Sequence, residues 1–367
     1  MSRSDVTSGE RATTLGVPVA PDASLLAELT ARILASGHYT NTARTVVEFE
    51  TAVADVLGAP VALATSSGTA ALTLALLALD LPPEAEVITT PLTFPATVQA
   101  IEAAGLRPVF AAVDPQTLTL DPTAVAAAVT SRTGAILPVH LFGVACDPAL
   151  DEAADGIPVV YDAAHAFDTG ALGHRIAHSG TLTAYSLHAT KLLHTGEGGL
   201  VITGDAALAA RVRRARNFGL DDGVPLIRGL NGKLPELSAA LGLAVLPRLQ
   251  AEEVARRAHR SSYDTLVAAS SRVQEHAPGH PRALLFQPVR CDPADQRALL
   301  ADFARHGIVG RRFPALTDSR SRYRDVRLIG TTHDALESLA ASRIALPLHS
   351  SLPPQHFDAV AQVLRVT

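Results

Sequence analysis

The stretch Y-S-L-H-A-T-K-L-L-H-T-G-E-G-G (185–199) sets one lysine, Lys191, between His188 and His194 and ahead of three glycines. A lysine that gives up its proton becomes a nucleophile able to form a Schiff base, and desolvation or a neighbouring charge favours that state. Left in water it is an ordinary loop cation. A zinc site at His188 and His194 would need two or three further ligands at metal spacing. The sequence offers none nearby, so no metal is expected.

Two other stretches carry chemistry. S-S-G-T-A-A-L (66–72) opens an apolar helix with small residues. Gly68 permits close approach of a ligand, and the unpaired N–H groups of a first helical turn attract anions. The plainer alternative is a Ser/Thr helix cap. Asp162 ends the apolar run P-V-V-Y-D (158–162), and His165 follows three residues later in D-A-A-H-A. A carboxylate at the end of a buried strand is costly unless paired. It would suit a cationic ring nitrogen, a helix cap or a structural ion pair. His165 could face the same pocket or serve as a supporting histidine.

These residues need elements to hold them. The chain has 367 residues, 47% hydrophobic and 18% charged, enough for a large core and too apolar for disorder. A net charge of -5 without Lys/Arg blocks excludes nucleic acid as the main partner. Two distant cysteines, Cys146 and Cys291, fit a reduced compartment. No signal-peptide core opens the chain, and the run at 70–79 is too short to span a bilayer. A cytoplasmic protein with no membrane contact is therefore expected.

Residues 1–22 are polar, and about the first 20 are expected to be poorly ordered. Helices are predicted over 23–36 and 42–57. From 61 to 162, strand-like and helix-like segments alternate, which predicts a mostly parallel sheet with helices on both faces. Two further strands, 181–187 and 199–203, flank the lysine loop. A basic helix follows at 205–216, then a helical stretch over 235–270. The assigned units are 1–250, a large domain, and 251–367, a smaller α+β domain. Ligands of open α/β sheets gather at the carboxyl ends of the strands, where T-S-S-G-T-A, T-P-L-T-F and Asp162 fall, with the lysine loop as a fourth feature. G-L-N-G-K-L (229–234) lacks P-loop spacing, no GxGxxG follows the first strand, and no GxSxG occurs. This speaks against an NAD-dependent oxidoreductase. An anion-binding helix start, an acid at a strand end, and a strand-borne Ser186 and Lys191, in that order, describe a pyridoxal phosphate site.

The chain resembles the sugar-nucleotide aminotransferases of the DegT/DnrJ/EryC1/StrS family. The likeness runs through S-G-H-Y-T-N, S-S-G-T-A-A-L, E-V-I-T-T-P-L-T-F-P, I-L-P-V-H-L-F-G, V-V-Y-D-A-A-H-A, S-L-H-A-T-K, R-N-F-G-L, G-L-N-G-K-L-P-E-L and R-I-A-L-P-L-H. It is thinnest over the first 25 residues and 270–330. The resemblance implies the fold-type I, aspartate-aminotransferase-like architecture. It implies that Lys191 is the Schiff-base lysine, that Asp162 pairs with the pyridine nitrogen, and that Phe94 stacks on the ring. His165 would lie near the phenolic oxygen. Gly68, Thr69 and Ser186 would donate to the phosphate, and the glycines after Lys191 would let the backbone pass close to the ring. Asn231 would reach the phosphate from a partner subunit, in a homodimer with shared sites.

The implied reaction is ping-pong transfer from L-glutamate, through pyridoxamine phosphate, to a keto-deoxysugar nucleotide. D-A-A-H-A, H-A-T-K and N-G-K-L-P-E-L together look closest to relatives acting at C4 of a dTDP-4-keto-6-deoxyhexose. A C3-specific aminotransferase, a sugar dehydratase and a non-catalytic sugar-nucleotide-binding regulator are the alternatives. Family dehydratases often carry His at the position of Lys191. The chain departs from the family at Leu187, where an aromatic is common, at Pro235, read here as the first helical residue, and in the short 220–229 segment.

Overall fold

The structure is a computed structural model that describes residues 12–313 and 315–365. Two helices lead in, α1 (Ala23–Ser36) and α2 (Arg44–Leu57). The alternating region then forms β1 (Ala62–Thr65), α3 (Gly68–Ala78), β2 (Glu86–Thr89), α4 (Pro95–Ala103), β3 (Arg107–Ala111), α5 (Pro122–Ala128), β4 (Thr133–Leu137), α6 (Ala149–Ala153) and β5 (Val160–Asp162). A short helix, α7 (Ala171–Ala177), precedes β6 (Leu182–Ser186), β7 (Gly199–Ile202) and α8 (Ala206–Ala215). A small hairpin, β8 (Leu220–Asp221) and β9 (Val224–Pro225), leads to α9 (Glu236–Val245) and α10 (Leu249–Ala268). The remainder holds β10 (Val273–Glu275), β11 (Gln287–Cys291), α11 (Gln296–Arg305), β12 (Leu328–Ile329), α12 (His333–Ala341), β13 (Arg343–Leu346) and α13 (His356–Leu364).

The large sheet is mostly parallel, as expected. One half runs β12-β3-β2-β4 in parallel, the other β1-β7-β6-β5. Parallel bridges Ile136↔Val159 and Val139↔Asp162 join β4 to β5. Only β7 runs against its neighbours. This topology brings the carboxyl ends of β1, β2, β5 and β6 to one edge. Alternation along the strands feeds two cores. Leu182 and Ala184 face α3, α4 and α8, while Tyr185 faces the side of α2 and α7. Helix α3 is apolar all round because it is buried all round, as a central helix must be.

Sequence and structure differ at several places. Residues 12–22 are tied down rather than poorly ordered: Thr13 pairs with Ile308, and His194 Nε2 lies 2.8 Å from the Val19 carbonyl. The rest of that expectation, residues 1–11, falls outside the described residues. The stretch 235–270 is two helices, because Pro247 lacks an N–H and the chain makes a 3-10 turn over Leu246–Arg248. Pro235 is the cap residue outside α9, with φ -66° and ψ 150°, not its first residue. Helix α7 and the β8–β9 hairpin have no counterpart in the sequence reading. After residue 251 the chain builds a separate antiparallel sheet, β10-β11-β13, with its own core. Yet β12 returns to pair with β3, and Tyr323 donates to Glu102.

Candidate active site

Four loops at the carboxyl edge enclose a cavity of about 340 Å3. The start of α3 contributes Gly68 and Thr69, β5 ends in Asp162, and β6 ends in Ser186. Lys191 and His165 complete the wall, and Phe94 stands at its rim, 57% exposed. Seven of the eight residues to which the resemblance assigns a role at the cofactor thus meet in one place, with His188 beside them. Asn231 does not line the cavity of its own chain. It stands exposed, bridged to Asn217.

The helix start is built to receive an anion. The Ser67 hydroxyl accepts from Ala70 N–H at 3.0 Å, and the Ser67 carbonyl accepts from Ala71 N–H. Among the described residues, the N–H groups of Gly68 and Thr69 have no partner. A Cβ on Gly68 would lie 2.8 Å from Ser186 Cβ, so only glycine lets α3 sit against the end of β6. That closeness sets the Ser186 hydroxyl beside the two free N–H groups.

Asp162 is 5% exposed. Its Oδ1 accepts from Ala164 N–H at 3.0 Å and its Oδ2 from the Thr97 hydroxyl at 2.8 Å. With its proton given to Asp162, Thr97 must accept from Thr93, whose hydroxyl lies 2.6 Å away. Burial pushes the carboxyl above its ordinary range, against these two bonds and the charge of Lys191. Burial likewise lowers Lys191 to about 8, assisted by Arg311 and opposed by Asp162. His165 is held well below the usual histidine range by burial, Lys191 and Arg311, and its Nδ1 is buried without a partner. It is a neutral imidazole, packed edge-on against Phe286 at 5.3 Å.

The glycines after Lys191 serve another purpose than the one expected. Gly199 begins β7 with its α-carbon against the Ser67 carbonyl, where a Cβ would come within 2.4 Å. A Cβ on Gly198 would strike Thr195 Oγ1 at 2.1 Å. Gly199 thus lets the lysine loop close against the start of α3, Gly198 lets the loop fold on itself, and neither lines the cavity. His188 Nδ1 accepts from Thr190 N–H at 3.2 Å, and His194 turns to Val19, so the two histidines have separate partners.

Thr97, Arg311 and Phe313 escaped the sequence reading, while Thr93 lay inside the strand-end stretch T-P-L-T-F. Thr97 sits one turn further on, inside α4, past the stretch that the strand-end rule marked. Arg311 and Phe313 carried no signal. They reach the cavity from beyond 300, the region of thinnest resemblance.

A pyridoxal phosphate molecule fits this donor set. Two free N–H groups and a hydroxyl suit its phosphate, a buried carboxylate suits its ring nitrogen, and a lysine of lowered pKa suits its aldehyde. With the sheet order, this defines the fold-type I class of PLP transferases. The chain belongs to the DegT/DnrJ/EryC1/StrS aminotransferase family, whose sequence profile matches residues 22–365. Members of that family depend on PLP.

Curated relatives include GDP-perosamine synthase of Caulobacter vibrioides, 39% identical over 220 residues. That match covers 58% of this chain and 59% of that protein, so the chain spans less than two thirds of this relative's length. The dTDP-4-amino-4,6-dideoxy-D-glucose transaminase of Shigella dysenteriae is 30% identical over 338 residues, covering 89% of this chain and 91% of that one. Among solved structures, DesI in the presence of its TDP-sugar product superimposes with a TM-score of 0.88. It is 33% identical and covers 97% of this chain and 93% of that one.

Proposed function

We propose that this chain moves an amino group from L-glutamate to C4 of a dTDP-4-keto-6-deoxyhexose, with PLP as cofactor, in a ping-pong sequence. The observation that carries the reading is Lys191 at a pKa of about 8, facing Asp162 across a cavity with an anion-binding floor. The names of the Shigella relative and of the DesI complex support a sugar-nucleotide acceptor, and the former supports C4.

When bound, the cofactor supplies an electron sink for the carbanion left by proton removal. Neutral Lys191 Nζ takes the proton from the donor's α-carbon and returns it one step later. Asp162 would accept a hydrogen bond from the protonated ring nitrogen, with its Thr97–Thr93 chain fixing the carboxylate's orientation. Ser186 and the N–H groups of Gly68 and Thr69 would hold the phosphate. His165, a neutral imidazole, would lie near the ring oxygen. Phe94, at the cavity rim, would stack on the ring. Asn231 serves the cavity of a partner copy, in a homodimer. Residues 1–250 form the cofactor-binding unit and 251–367 the smaller one. Among the described residues no helix is long and apolar enough to cross a membrane, and both cysteines are free and buried. We place the enzyme in the cytoplasm.

The test is the visible absorbance of the PLP-loaded protein before and after L-glutamate, followed by turnover of 4-keto and 3-keto sugar nucleotides. Bleaching by glutamate and preference for the 4-keto sugar are expected. Lys191→Arg keeps the charge but cannot bond the cofactor, so it should lose the glutamate response. Wild-type turnover by that variant would overturn the mechanism. Preference for the 3-keto compound would move the reaction to C3.

A further inference from the structure

Residues 12–22 run ahead of α1 as an extended strap, with one isolated bridge at Thr13 and no helix. Its first residues dock beyond α11. Thr13 N–H donates to the Gly307 carbonyl at 2.7 Å, and Val309 N–H donates back to the Thr13 carbonyl at 2.9 Å. The next carbonyl, of Thr14, lies 3.2 Å from His349 Nε2. The strap ends on α9, where Asp22 N–H donates to the Ala244 carbonyl at 2.7 Å.

Between those ends it meets the lysine loop on both sides of Lys191. A Cβ on Gly16 would sit 3.4 Å from both the Cβ and the carbonyl oxygen of Thr190, so strap backbone lies against the residue before the lysine. On the other side of the lysine, His194 Nε2 lies 2.8 Å from the Val19 carbonyl. Val19 is buried in one apolar cluster with Leu192 and Leu193. A carbonyl only accepts, so His194 and His349 both carry their proton on Nε2. Burial holds both below the usual histidine range, so they are neutral. Each leaves a buried Nδ1 without a partner among the described residues. An orphaned acceptor destabilises the fold. An apolar side chain would avoid that cost, and what the imidazole adds is its bond to the strap.

We infer that residues 12–22 are a positioning strap for Lys191, with His194 and His349 as its two clasps. The strap works by excluding water, not by charge. Its only ionisable side chain, Asp22, caps α1 and pairs with Arg248. The ionisable groups that line the lysine's cavity are Asp162, His165, Tyr185, His188, Glu197 and Arg311, none of them on the strap. Burial is the largest influence on Lys191 and lowers it to about 8, with Asp162 opposing and Arg311 assisting. A slack strap admits water to the loop and weakens that influence. Full release would return the amine to the ordinary lysine range, so loosening moves its pKa upward.

The test is clean because the chain has only two lysines, Lys191 and Lys233. The full chain, freed of bound cofactor, is trace-labelled with acetic anhydride across a pH series. Only a neutral amine is acetylated. Peptide mass spectrometry then compares Lys191 with Lys233, which rests on Asn217 and Phe218 and not on the strap. His349→Ala and His194→Ala should each raise the Lys191 midpoint by about half a pH unit or more, with Lys233 unmoved. His194→Gln, whose amide N–H can replace Nε2–H, should keep the wild-type midpoint. His349→Ala decides the matter, since no charge of His349 acts on Lys191 and its link to the loop runs along the strap. An unchanged midpoint in folded His349→Ala overturns the inference, whatever His194→Ala does. Where an alanine variant fails to fold, Val19→Ala trims the same strap by a buried contact, and an unchanged midpoint there overturns it equally. Because no cofactor is present, the result stands apart from the assignment of PLP.

Discussion

At the residue scale, Lys191 and Asp162 hold each other's protonation in balance. Lys191 reacts only as the neutral amine, so below about pH 8 its capacity to bond an aldehyde falls. The rate of PLP capture by the apoprotein should therefore rise through about pH 8 and level above it. Asp162 raises the lysine's pKa, so Asp162→Asn should move the midpoint to lower pH. Stopped-flow absorbance would follow both. A rate flat across about pH 6 to 10 would mean that Lys191 is not the titrating nucleophile. Asp162 and Ser186 were legible as polar residues at strand ends, and Lys191 as the one lysine of the loop between β6 and β7. Thr97 was less so, since its role depends on Thr93 one turn earlier and on a carboxylate 65 positions away.

At the element scale, two buried acids help to fix α2 and β1. Glu236, 1% exposed in α9, accepts from Ala43 N–H and Thr45 N–H at 2.8 Å and from Val46 N–H at 3.1 Å. Its carboxylate caps α2, whose own cap residue, Ala43, has no side-chain acceptor. Glu50 in turn accepts from Ala64 N–H and pairs with buried Arg216. Glu236→Ala should lower unfolding free energy by about 1–3 kcal/mol, because buried donors lose their partner. Urea titration would read it, and an unchanged midpoint would show that the cap contributes nothing. The strands and most helices were predictable from periodicity. The break at Pro247 and the role of Glu236 were not, the first because apolar spacing continues across it, the second because a cap from another element leaves no local pattern.

For the whole molecule, the proposed homodimer bears on the apolar side chains left at the surface. Phe218, Val224 and Leu226 are 49%, 54% and 59% exposed around the β8–β9 hairpin, close in sequence to Asn231. Covering them with a second copy would carry Asn231 toward a neighbouring cavity. Lys191→Arg and Asn231→Asp should each abolish transamination alone. Mixed in equal amounts and reassembled, they should recover about a quarter of wild-type activity, since half the dimers then hold one intact site. No recovery would place Asn231 in its own chain's site or in none.

The mostly parallel sheet, the family with its PLP dependence, and the order in which the cavity residues occur were determined by sequence alone. Strand-end position and residue type are local properties, and the chain displays them in order. What tertiary structure decided was convergence. Gly68 matters because β6 returns against α3, and Gly199 matters because the Ser67 carbonyl lies against it. Arg311 enters the cavity only because β13 and the Pro91 turn fasten a loop some 150 residues away from Asp162 beside it. Such contacts arise from packing between distant segments, and no spacing along the chain records them.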